Sequence, residues 1–212
     1  MHKPTRPLLL SSVLLALAAL ASPAQAQTQI LNFDDLPPGS FEAMPDRYRG
    51  FDFSGWFHSD YEYPNVDPAT PWSPYQPSSG VTNVFTQVAD PAAQAVSLGP
   101  VISAASPFVF VGAHVTGYSP VTFVLTLNGV EVHRSATLPA AAGADGSYGF
   151  LASGYAGAVD AVAVQGVQGY YALDDFSYAA APVPEPAAVT LLAAGLAAIA
   201  LFARRANRRE AR

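Results

Sequence analysis

Between Gln27 and Ala181 the chain is cut at short intervals by Gly, Pro, Asn or Asp, and no apolar period of 3.6 residues is sustained. The pieces between the cuts are rich in Val, Thr, Phe and Tyr, the residues that fit a pleated, half-buried surface. Runs of this length bounded by turn formers predict strands. Nine are expected: Gln29 to Leu36, Gly50 to Phe57, Val81 to Val88, Pro107 to Val115, Val121 to Leu127, Val130 to Ala136, Ser147 to Ala152, Val159 to Gln165 and Tyr170 to Tyr178. The pattern predicts an all-β domain over residues 27–181, an antiparallel sandwich, and gives no support to an α/β dinucleotide-binding or barrel enzyme. Asn128-Gly129, between Phe123-Val124-Leu125-Thr126-Leu127 and Val130-Glu131-Val132, predicts a two-residue type I′ hairpin, because both residues tolerate positive φ.

Charge divides the chain into three. Met1 to Ala26 carries Lys3 and Arg6 and no acid, and the stretch from Glu185 carries five arginines against Glu185 and Glu210. The middle, residues 27–184, holds 14 acids against Arg47, Arg49 and Arg134, a balance of −11. Nucleic-acid binding through a basic face is therefore excluded as a reading. With no cysteine anywhere, disulfides, thiolate zinc sites and cysteine nucleophiles are excluded too.

The two ends read as addresses. A basic start (His2, Lys3, Arg6), an apolar run from Leu8 to Ala21 and the triplet Ala24-Gln25-Ala26 predict a signal peptide cut by signal peptidase after Ala26; an uncleaved helix is the alternative. At the far end, Val183-Pro184-Glu185-Pro186 precedes a charge-free stretch, residues 187–203, and then Arg204, Arg205, Arg208 and Arg209. As a helix those 17 residues would reach about 25 Å, near the lower limit for spanning a bilayer. The arginines would stay cytoplasmic and place everything before Pro184 outside the inner membrane.

This three-part tail, residues 182–212, resembles the PEP-CTERM sorting signal of Gram-negative bacteria. The resemblance implies recognition by an exosortase, a multi-pass membrane protease or transpeptidase acting at the motif, with release or attachment at the cell surface or in an exopolysaccharide matrix. Two prolines enforce an extended backbone at Pro184-Glu185-Pro186, the conformation a protease cleft takes. A permanent single-span anchor is the alternative. Within the domain, Asn32-Phe33-Asp34-Asp35-Leu36, Tyr48-Arg49-Gly50-Phe51-Asp52-Phe53 and Ala172-Leu173-Asp174-Asp175-Phe176-Ser177-Tyr178 are similar to opening and closing motifs of PEP-CTERM exported proteins. That second resemblance implies a jelly-roll, carbohydrate-binding-type β-sandwich.

Two groups of residues are candidates for a site. Asp34/Asp35 and Asp174/Asp175 fall in the first and last expected strands, and converging carboxylates would suit a structural Ca²⁺. Strand alternation lets at most one aspartate of each pair face a shared site, so strand-end, turn-capping aspartates are the other reading. The second group is the Pro-stiffened segment with Trp56, Tyr61, Tyr63, Trp72 and Tyr75, interleaved with Asp60, Glu62 and Asp67. Exposed rings would stack on pyranose C–H faces, for example of exopolysaccharide; the alternative is a satellite core covering one end of the domain. Catalysis finds no motif: the exported domain has His58, His114 and His133, and no Gly-x-Ser-x-Gly elbow or His-Glu-x-x-His helix. The expectation is a non-catalytic exported surface or matrix protein, binding glycan or purely structural, with a carboxylate-pair glycoside hydrolase a distant third.

Overall fold

The computed structural model describes residues 27–39, 41–60, 75–87, 95–140, 147–181 and 193–200. The chain divides into two units, Met1–Ala181 and Pro182–Arg212. Among the described residues of the first, every strand pairing is antiparallel. Its strands are β1 (Thr28–Leu31), β2 (Glu42–Ala43), β3 (Phe51–Asp52), β4 (Trp56–Asp60), β5 (Thr82–Thr86), β6 (Val96–Gly117), β7 (Thr122–Leu127), β8 (Val130–Arg134), β9 (Ser147–Ala152), β10 (Val159–Val167) and β11 (Tyr171–Ala180). They pair in the order β2-β4-β5-β11-β6-β10-β7-β8, with β1 added to β11 and both β3 and β9 added to β6.

Strand β6 organises this sheet. Its first part pairs with β10, from Val96↔Val167 to Ser103↔Ala161, and its second part pairs with β11, from Phe108↔Ala180 to Gly117↔Tyr171. β3 joins the first part at Ser103 and Ala104, and β9 joins the second at Gly112–Gly117. One strand thus serves two arms of the sheet. The sequence predicts only Pro107 to Val115 here, because Pro removes a ladder donor. Pro100 and Pro107 are accommodated where the β6–β10 register shifts, between Val101 and Leu98 and between Phe108 and Ser103.

The hairpin at Asn128-Gly129 forms as expected, with φ of 53° and 74° and Leu127 opposite Val130. Several expected strands are shorter or divided: Val81 to Val88 is described as strand over Thr82–Thr86, and Val130 to Ala136 ends at Arg134. Gln29 to Leu36 stops at Leu31, and Gly50 to Phe57 splits into β3 and β4 around a turn that returns Trp56 N–H to Phe53 C=O at 2.9 Å.

The core is aromatic. Phe33, Phe53, Trp56, Phe110, Phe123, Tyr171 and Phe176 are all buried. Phe110 of β6 meets Phe123 of β7 edge to face at 5.0 Å, and Phe51 of β3 meets Phe176 of β11 at 5.3 Å. Rings from one arm therefore pack on rings from the other. Each such pair adds about 0.5–1.5 kcal/mol beyond the area it buries.

In the second unit the described helix covers residues 193–200, or about 12 Å. Among the described residues no helix is long and apolar enough to cross a membrane, so the span expected over 187–203 is not shown. The signal peptide, Val183, Pro184, Glu185, Pro186, Arg204 and Arg205 lie outside the described residues.

Candidate functional site

Phe33 takes a φ of 60°, which ends the ladder of β1. Leu36 N–H then closes a turn on Phe33 C=O at 3.1 Å. Asp34 and Asp35 therefore sit in a turn, where their side chains diverge. Asp35 accepts hydrogen bonds from the Tyr48 hydroxyl and the Arg49 guanidinium. Those two donors hold its carboxyl below the ordinary carboxylate value, the Tyr48 bond being the larger cause. Asp34 faces the other way: its Oδ1 accepts Val81 N–H at 3.0 Å and Thr82 N–H at 3.4 Å, and its Oδ2 accepts Asn32 Nδ2–H at 2.9 Å.

The closing pair departs from strand alternation. Asp174 lies opposite His114, but Asp175 has φ 48° and the register shifts before Ser177 meets Gly112. A bulge of this kind re-aims side chains. Both carboxylates consequently reach one turn. Asp174 Oδ2 accepts Ser78 N–H at 2.8 Å, Ser78 Oγ–H at 2.9 Å and Ser79 N–H at 2.9 Å, while its Oδ1 accepts Asp175 N–H at 2.7 Å. Asp175 Oδ2 shares that same Ser78 hydroxyl proton at 2.7 Å and lies 3.4 Å from His114 Nδ1, while its Oδ1 accepts the Ser79 hydroxyl at 2.8 Å.

Three of the four aspartates thus converge on Ser78 to Thr82 from the first and last parts of the domain. Gly80 makes this possible, since a Cβ there would lie 1.9 Å from Asp34 Oδ1 and its φ is +50°. Burial raises the Asp174 carboxyl to about 6, the neighbouring Asp175 charge adding to it and the Ser79 and Asp175 N–H bonds opposing it. The chemistry on offer is that of a clamp. Serine hydroxyls donate directly to carboxylates, which is not the nucleophile–imidazole–carboxylate order of a hydrolase triad.

The donor set does not fit the calcium expectation. Among the described residues no group of three or more His, Asp or Glu side chains is placed to hold a metal ion. Asp35 turns to Arg49, and the other carboxylates meet N–H and O–H donors where an ion would need free lone pairs. Sequence reasoning missed Ser78-Ser79-Gly80 as the receiving turn, although its composition marks a turn rich in donors.

The aromatic candidates separate as well. Trp56 is 1% exposed in β4, with its indole N–H on Pro100 C=O at 3.3 Å and its ring against Phe53 and Tyr171. It is a core residue, which corrects its placement on a glycan platform. Alternation along β4 buries Trp56 and His58 and leaves Phe57 and Ser59 less buried. Tyr61, Tyr63 and Trp72 lie outside the described residues. Tyr75 is half-buried, with its hydroxyl on Gly169 C=O at 3.3 Å and its ring edge to face with Tyr118 at 6.0 Å; burial raises its phenol to about 12. Tyr118 was not singled out by the sequence, where it appears only as one member of the turn Gly117-Tyr118-Ser119-Pro120.

No curated protein and no solved structure matches this chain. The family comparison falls on the tail, beginning one residue after the β domain's Ala181. Residues 182–209 match the PEP-CTERM protein-sorting motif, so the chain is an exported protein that carries this sorting signal, which implies processing by an exosortase and membrane-linked sorting toward the cell surface.

Proposed function

We propose that the β domain is the cargo of this sorting signal: a non-catalytic surface or matrix component, of jelly-roll-like sandwich form and carbohydrate-binding type. The sorting motif at 182–209 supports the exported, exosortase-sorted part of this reading, with residues 27–181 taken as the part delivered. Ring contacts between the two arms, Phe110 on Phe123 and Phe51 on Phe176, support a two-layer packing. In this reading residues 187–203 serve as the stop-transfer segment that keeps the Pro184-Glu185-Pro186 motif on the outer side until the exosortase cuts. Signal peptidase removes residues 1–26 first. Intact mass spectrometry of the surface-exposed form tests the sorting step: a chain beginning at Gln27 and lacking Leu191 to Arg212 is expected. A mature chain that still contains Leu191 to Arg212 makes the tail a permanent anchor.

A second reading, a structural matrix protein without glycan specificity, is favoured by the burial of Trp56, which takes one ring out of the expected platform. Polysaccharide retardation in native gels separates the two, since only the carbohydrate-binding form migrates more slowly in a gel containing its polymer.

A further inference from the structure

Lys3 is the one lysine of the chain, so residues 27–212 hold none. The basic side chains of the exported domain, histidines aside, are the guanidinium groups of Arg47, Arg49 and Arg134. Once residues 1–26 are removed, the α-amine of Gln27 is therefore its one primary amine. Strand β1 starts at the next residue, with Thr28 opposite Ala179 and Gln29 opposite Tyr178. Gln27 stands before this ladder and is exposed. The two neighbouring glutamines differ in what their amides do: Gln29 Oε1 accepts the Tyr178 hydroxyl at 2.9 Å, whereas among the described residues none bonds to the Gln27 amide.

An N-terminal glutamine carries nucleophile and electrophile in one residue. The α-nitrogen attacks the side-chain Cδ, the bond from Cδ to Nε2 breaks, and the α-nitrogen passes a proton to the departing nitrogen, which leaves as ammonia. The product is a five-membered lactam, pyroglutamate. No oxidant, water or other reactant is consumed. An α-amine titrates near neutral pH, so its nucleophilic form is present there. Closure between two groups of one residue has the high effective concentration of an intramolecular step, provided the torsions that join them can turn. At Gln27 they can, because the side chain is exposed and the residue lies outside the ladder that fixes Thr28.

We propose that Gln27 is a modification site: freed by signal peptidase, it closes to pyroglutamate and leaves the exported domain with no primary amine. This rests on the cleavage after Ala26 proposed above. An aminopeptidase, which must hold a free α-amine, then has no substrate. Trimming from this end would otherwise remove the β1 partners of Ala179 and Tyr178 in turn. The closed domain also offers no amine as an acceptor in acyl transfer, so in any transpeptidation at the cell surface this chain serves as the acyl donor alone.

The test is mass spectrometry of the exported protein recovered from the cells that make it. The protein is treated with an acetylating N-hydroxysuccinimide ester before digestion, so that any amine present is capped and cannot close later. Trypsin then releases residues 27–47, since Arg47 is the first arginine of the domain. In most molecules this peptide should be lighter than its sequence by one ammonia and carry no acetyl group. The same peptide acetylated in most molecules overturns the modification and leaves the cleavage reading standing. A chain that begins at another residue overturns both. Gln27→Asn supplies the control, because its closure would need a four-membered ring: it should carry one acetyl group at its N-terminus. A Gln27→Asn chain that resisted acetylation as the parent does would move the block away from the Gln27 amide and overturn the site.

Discussion

Asp174 Oδ2 accepts both the backbone N–H of Ser78, at 2.8 Å, and its hydroxyl, at 2.9 Å, across 96 residues of chain. The contact ties a turn on the approach to β5 to the last strand of the domain, and Asp174 is only 1% exposed while doing so. Removing the carboxylate leaves the N–H groups of Ser78 and Ser79 without their acceptor. Each such buried orphan costs about 1–3 kcal/mol. Asp174→Ala should therefore lower the unfolding free energy by about 3 kcal/mol or more, read by urea denaturation. Asp175→Ala should cost about 1 kcal/mol, because its partners there are hydroxyls that can turn to water. Equal costs for the two would show that the Ser78 and Ser79 backbone bonds do not matter.

The same residue sets a pH dependence. Its ordinary value is 3.8 and burial lifts it to about 6, so the folded state binds the proton more tightly. Stability then falls as pH rises through the window from about 4 to 6 and is flat above it, a loss on the order of 2 kcal/mol. Asp35 works in the opposite sense. Held low by Tyr48 and Arg49, it contributes stability above its ordinary value of 3.8 that is lost as pH falls below about 4. Repulsion within the acidic domain also weakens the fold with rising pH, in parent and variant alike. Asp174→Asn isolates the local effect: its denaturation free energy should slope less than the parent's between pH 4 and 6. Parallel slopes would refute the assignment.

Trp56 separates packing from binding. Its indole lies against Phe53 and Tyr171 with centroids at 6.5 and 6.2 Å, and its relative exposure is 1%. Trp56→Ala should cost about 3–5 kcal/mol, and Trp56→Phe, which keeps an aromatic ring in the core, clearly less. Under conditions where Trp56→Ala remains folded, polysaccharide retardation should equal the parent's. A folded Trp56→Ala variant that lost retardation would return the ring to the binding surface.

The sequence carried the strand content and the Asn128-Gly129 turn because those signals are local: side-chain type and the φ each residue tolerates. It did not carry the first half of β6, since Pro100 and Pro107 argue against a strand and only the partner β10 supplies the register shifts that admit them. Nor did it carry the aim of the aspartates. Alternation predicts opposite faces for Asp174 and Asp175, and the bulge at Asp175, with its positive φ, overrides that rule through tertiary pairing. The convergence of the two ends was legible; that they converge on hydrogen-bond donors of Ser78 to Thr82 was not, because the donors come from a third segment. For Trp56 the period-2 pattern of β4 held the answer, once its first residue was fixed by the turn at Gly55.

The receiving turn bears on calcium. An ion needs six to eight oxygens, with carboxylate lone pairs facing it. Here Asp174 Oδ2 takes two backbone N–H groups, the single Ser78 hydroxyl proton is shared between Asp174 and Asp175, Asp175 also takes the Ser79 hydroxyl, and Asp34 Oδ1 takes two backbone N–H groups. Binding would have to break these bonds, so the melting temperature should be the same in millimolar CaCl₂ and in EDTA. The measurement is sensitive: a ligand at a hundred times its Kd adds about 2.7 kcal/mol, which in a domain of this size moves the midpoint by several degrees. A calcium-dependent rise that Asp34→Asn or Asp175→Asn abolished would show that the turn gives way to an ion, and the hydrogen-bonded clamp would then be the metal-free form of a calcium site.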